Sequence, residues 1–184
     1  MDRSPRIRSF DGHFPELGAR VYIDPAATVI GRVRLGDDVS VWPGVVIRGD
    51  INSIEVGART NIQDGSILHV THDGPYSPGG IALTIGADVT IGHRAVLHAC
   101  TVGSRCLIGM GALVLDGAIV EDEVLIGAGT VVPPRKRLTG GSLWLGHPAR
   151  RVRALKPGEL ESLAYSAAHY VRVKDAYLAA APVG

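Results

Sequence analysis

Residues 102–132 read VGSRCLIGMGALVLDGAIVEDEVLIGAGTVV. Val102, Ile108, Val114, Val120, Ile126 and Val132 recur at every sixth position without slippage. Four positions after successive marks stand Cys106, Ala112, Ala118, Val124 and Thr130, all small or modest in size. A six-residue step is too long for a simple alternating strand and does not fit the roughly 3.6-residue period of a helix. It predicts a β-solenoid of short flat strands, each ending in a turn. The aliphatic side chains stack inside, the small residue fills an interior corner, and stacked coils share backbone hydrogen bonds at about 4.8 Å. A sandwich with glycine-rich turns would not keep so strict a step through six repeats.

Working outward, the same frame returns at Val56, Ile62 and Leu68 and at Ile85, Ile91 and Leu97, with one residue missing between Leu97 and Val102. Ile30, Leu35, Val41 and Ile47 continue it less regularly, and glycine follows the aliphatic mark at 31, 36, 57, 86, 92, 103, 109 and 127. The pattern resembles the hexapeptide-repeat family. That resemblance implies an all-β left-handed parallel β-helix of triangular cross-section over residues 24–145, with about three hexads to a coil. Left-handedness is implied by the family alone, since the general rule for parallel crossovers favours the right hand. Residues 1–23 form an N-terminal segment. The stretch 71–80, THDGPYSPGG, breaks the period and predicts a loop bulging from the prism. In 146–184 a connector leads to a helix over about 157–178. Leu160, Leu163, Ala164, Ala167, Val171, Ala176 and Leu178 form its apolar stripe, which is expected to pack back along the β-helix.

The totals restrict function. Nineteen basic and eighteen acidic side chains leave almost no net charge, which argues against nucleic-acid or anionic-membrane binding. The start, MDRSPRIRSFDG, lacks the apolar core of a signal peptide, and no stretch reaches the length of a membrane span. Two cysteines cannot build a disulfide framework, so a cytoplasmic location is expected.

The frame also lets positions be compared between coils. His69 follows Leu68 and His98 follows Leu97, so both occupy one place in the hexad. Setting aside a bulge of about eleven residues leaves them one coil apart, stacked at about 4.8 Å and able to lean onto one metal ion. His93 lies one hexad before His98, near a neighbouring edge. In a threefold oligomer of parallel prisms it would face the His69/His98 pair of the next subunit. His13, His147 and His169 share no such frame and read as surface residues.

The runs RGDINSIEVGARTNIQDGSILHVTH (48–72) and IGHRAVLHACTVG (91–103, within a match that continues to Val132) resemble the γ-class carbonic anhydrase family, and its bacterial branch in particular. By that resemblance His69 and His98 bind the metal from one subunit of a homotrimer and His93 from its neighbour. Zinc is the usual ion, with iron(II) or cobalt(II) as alternatives. Arg48 and Asp50 match the interface ion pair, Gln63 and Asn61 the residues that orient metal-bound solvent, Asp64 their support, and Tyr165 a tyrosine near the site. The implied activity is reversible hydration of CO2 to bicarbonate. The glutamates that export protons in the family's best-studied enzymes are missing. Ile51 stands in the first region, and the 71–80 loop offers His72 as a substitute shuttle. Three alternatives remain open: a hexapeptide acyltransferase, suggested by Gly146–Ala149, a metal-dependent thioesterase, and a non-catalytic metal-binding or assembly subunit.

Overall fold

The computed structural model describes residues 6–180. They form a left-handed parallel β-helix closed by one C-terminal helix, as the repeat and its family resemblance imply. A regular coil takes 18 residues: Thr101 pairs with Ile119, and Ile119 with Arg137. Between Ile91 and Ile108 the step is one residue shorter, which is the omission visible after Leu97. Two coils are longer. One bulges near Gly49–Ser53, where the register of the strands Thr28–Leu35 and Val46–Val56 shifts. The other carries the 71–81 insertion, which is an antiparallel hairpin bridged at Thr71–Ile81 and Gly74–Ser77. Parallel pairing already begins N-terminal to residue 24, with Ile7–Arg8 on Val29 and Ile30 and Tyr22–Ile23 on Ser40 and Val41.

The repeat divides side chains by direction. Leu68, Leu97, Val114 and Val132 point inward and are fully buried. The outward columns differ between faces. One stacks Ile67, Val96, Leu113 and Val131 in register. The next stacks Asn61, Thr90, Leu107, Leu125 and Leu143. The third carries Glu55, Thr84, Thr101, Ile119 and Arg137, and is mostly polar. Glycine after the aliphatic mark has a steric cause, since a Cβ on Gly57 would fall 2.5 Å from the carbonyl carbon of Gly86 in the next coil.

One corner holds a left-handed residue in every coil: Arg20, Asp38, Arg59, Asp88, Arg105 and Glu123, with φ from 53° to 59°. Charge alternates along this column, and ion pairs join Arg20 to Asp38, Arg59 to Asp88 and Arg105 to Glu123 at 2.6–3.0 Å. Left-handed backbone costs a side-chain-bearing residue about 1–2 kcal/mol. An exposed ion pair returns only about 0–1 kcal/mol. The column therefore contributes order along the stack more than net stability.

The helix runs Pro157–Ala179, with proline at its start, where no N–H partner is needed. It lies against Tyr22–Ile23, Ser40–Val41, Asn61–Ile62 and Thr90–Ile91, covering part of one face. Its buried stripe is narrower than the sequence predicts. Leu163, Ala167 and Lys174 are buried, while Leu160 and Leu178 are 36% and 49% exposed. Polar and aromatic contacts complete the anchoring: Lys174 Nζ lies 3.0 Å from Asp38, and Trp42 packs against Tyr170 and Tyr177.

Candidate metal centre

His69 and His98 pair in register on adjacent strands, with ring centroids 5.2 Å apart. Each ring has one nitrogen on a carboxylate: His69 Nε2 lies 3.0 Å from Asp50 Oδ1, and His98 Nδ1 lies 2.7 Å from Asp116 Oδ1. Ionised carboxylates only accept, so these outer nitrogens carry the hydrogens and donate. The inner nitrogens, His69 Nδ1 and His98 Nε2, face each other at 3.2 Å. With both rings neutral, two lone pairs meet there, and a shared proton or a cation relieves the repulsion. Two nitrogens bound to a tetrahedral zinc ion lie about 3.3 Å apart, so the donor pair fits such an ion. Burial lowers the pKa of His69, against the pull of Asp50, and so favours the neutral ring that a metal needs. Burial works to raise Asp50 and Asp116. Arg48 and His69 hold Asp50 below the usual carboxylate range, and Thr71 and His98 do the same for Asp116.

His93 is on a different face. Its Nδ1 lies 3.0 Å from Asp64 Oδ2, and both side chains are about half exposed. It lines an apolar depression with Gln63, Leu107, Met110, Leu125 and Ser166. A buried chain of hydrogen bonds fixes Gln63 at its edge. Gln63 Nε2 donates to Asn61 Oδ1 at 3.1 Å, Asn61 Nδ2 donates to Thr90 Oγ1 at 3.0 Å, and Thr90 meets Ser166 Oγ of the helix at 3.0 Å. With its amide N–H so engaged, the Gln63 carbonyl oxygen is left as the acceptor. Among the described residues, no three His, Cys, Asp or Glu side chains of one chain gather around a common point.

A profile described as "Bacterial transferase hexapeptide (six repeats)" matches residues 14–49 and 99–134. "Protein YrdA" of Escherichia coli (strain K12) is 57% identical over 172 residues, covering 94% of each chain. "Gamma carbonic anhydrase 1, mitochondrial" of Arabidopsis thaliana is 42% identical over 90% of this chain and 60% of that protein. The chain belongs to the γ-carbonic-anhydrase-like family. Among solved structures, a hexapeptide transferase family protein from Anaplasma phagocytophilum superposes with a TM-score of 0.85 at 36% identity, covering 92% of this chain and 96% of that one.

Within this γ-carbonic-anhydrase-like chain, the expected residues divide into two groups. His69, His98, Arg48 and Asp50 come together, with Arg48 Nη1 2.5 Å from Asp50 Oδ2. His93, Asp64, Gln63 and Asn61 gather on the other face. Tyr165 joins neither group: it is 66% exposed and stacks on His169 at 6.1 Å. The helix reaches the depression through Ser166, the next residue. His72 is exposed in a groove with Thr71, Tyr76, Asp116 and Arg135. Asp116 has no signal in the hexad frame: Leu97 pairs with Val114, so the shortened coil sets Leu115, not Asp116, at the hexad place of His98. Cys100 and Cys106 take no part, as burial pushes both thiols up to about 12.

Proposed function

We propose that this protein binds a divalent cation, zinc foremost, between the His69/His98 pair of one subunit and His93 of the next in a homotrimer, and that it hydrates CO2 there. The observation that carries the reading is the pair of facing imidazole nitrogens at 3.2 Å, each ring steadied from behind by a carboxylate. A carboxylate behind a metal-binding imidazole sets its tautomer and raises its basicity. The two apolar outward columns flank the corner that bears His93 and Met110, which supports burial of this region against a second copy.

When bound, the ion supplies the positive charge that makes water acidic near neutral pH. The chain's own residues do the rest. Gln63, locked by Asn61, Thr90 and Ser166, presents its carbonyl to the proton of the attacking water and holds the oxygen's lone pair toward the carbon of CO2. Leu107, Met110 and Leu125 form an apolar wall suited to an uncharged gas. Exposed His72, which shares its groove with Asp116 behind the histidine pair, is the candidate proton carrier to solvent.

The test is stopped-flow CO2 hydration on metal-verified protein beside His93→Ala. Hydration that follows metal content and falls at least about 100-fold in the variant is expected. Full metal loading without hydration would remove the anhydrase reading while keeping the centre. A second reading, acyl transfer, rests on the His98–Asp116 couple, which has the geometry of a general base and its orienting group, and on the resemblance to a hexapeptide transferase family protein. Acetyl-CoA binding by metal-free protein distinguishes it.

A further inference from the structure

The two lengthened coils of the β-helix converge on the histidine pair. Asp50 sits in the first bulge and holds His69. Thr71 opens the inserted hairpin, and its backbone N–H and carbonyl both bond to Ile81 at 3.0 Å. Asn52 of the first bulge donates its side-chain N–H to the Thr71 carbonyl at 3.2 Å. The Thr71 hydroxyl donates to Asp116 Oδ2 at 2.5 Å, while Asp116 Oδ1 accepts from His98 Nδ1 at 2.7 Å. The Asp116 side chain is 37% exposed, so this is a short tether at the edge of the prism and not part of its core.

From this geometry we infer that Asp116 and Thr71 are positioning residues of the metal centre, through which the inserted hairpin holds His98 with Nε2 facing His69. A carboxylate that accepts from Nδ1–H fixes the Nδ1–H tautomer and frees the Nε2 lone pair. The Thr71 hydroxyl occupies the second carboxylate oxygen, so Asp116 cannot turn away to solvent without losing two short bonds. The group that occupies this oxygen is therefore supplied by the first residue of the hairpin. The inference rests on the proposed metal reading, but orientation of His98 is measurable without metal.

Two readouts test it on the full-length protein: the His98 tautomer from imidazole 15N shifts in the metal-free state at a pH where the ring is neutral, and Zn2+ affinity by chelator competition. Wild type is expected to hold the Nδ1–H form. Asp116→Ala is expected to shift the ring toward Nε2–H and weaken Zn2+ binding about 10–100-fold. Thr71→Val weakens it less. Asp116→Asn, which keeps a neutral acceptor, and Thr71→Ser restore most of the loss. A role limited to folding would lower thermal stability without moving the tautomer. An unchanged tautomer and unchanged Zn2+ affinity in Asp116→Ala and Thr71→Val would overturn the inference. An Asp116-dependent tautomer in a wild-type protein that takes up no Zn2+ would instead overturn the metal reading and leave the orientation standing.

Discussion

Thr130 Oγ1 is a buried side-chain oxygen with no hydrogen-bond partner among the described residues. An unsatisfied buried hydroxyl costs about 1–3 kcal/mol. Val124 fills a like position in the same frame, so the interior accepts that shape. Thr130→Val should stabilise by about 1 kcal/mol and raise Tm by about 2–4 °C, measured by calorimetry on matched metal-free samples. Asp38 behaves differently. The Arg20 hydrogen bond, assisted by Lys174 and opposed by burial, holds its carboxyl at about 2, below the ordinary 3.8. As pH falls, the unfolded chain takes this proton first. The stabilisation is therefore complete above 3.8 and is lost as pH drops through about 2. Asp38→Asn should flatten urea-midpoint curves between those values, and an unchanged slope would refute the assignment. The histidine pair was legible because both rings occupy one hexad position. Asp116 was not, because the residue missing after Leu97 breaks the frame between His98 and its carboxylate.

At the scale of elements, the corner column makes a sharper test than its pair energies suggest. Arg59→Glu would place three negative side chains in a row, Asp38, Glu and Asp88, where like charges in neighbouring strands repel. The variant should lose about 1–2 kcal/mol at low salt, with much of the loss recovered near 1 M NaCl, where screening acts within about 3 Å. Denaturant midpoints at both salt concentrations give the answer, and a salt-independent loss would assign it to backbone strain instead. The strands themselves were readable from the six-residue step, down to the coil that lacks a residue. The helix was readable in extent but not in its contact face. Its apolar spacing suggested a broad hydrophobic stripe, whereas buried Lys174 and the Trp42–Tyr170–Tyr177 contacts supply much of the anchoring. Such a pairing of charge and aromatic groups has no periodic signature.

For the whole molecule, the proposed trimer makes the exposed apolar corner the decisive surface. Met110 is 59% exposed and lies beside His93 in the apolar depression. Met110→Glu should shift sedimentation from trimer toward monomer and reduce bound metal in proportion, although it touches no proposed ligand. A trimeric variant with full metal would place the interface elsewhere. No helix among the described residues is long and apolar enough to cross a membrane.

The alternating corner also bears on how such a molecule can grow. Its ion pairs join coils two at a time, Arg20 with Asp38, Arg59 with Asp88 and Arg105 with Glu123. Duplicating one coil would set two like charges side by side, whereas duplicating two would preserve the sequence of signs. Although the backbone repeats with every turn, lengthening this prism obeys a parity rule, and its smallest inheritable unit is a couplet.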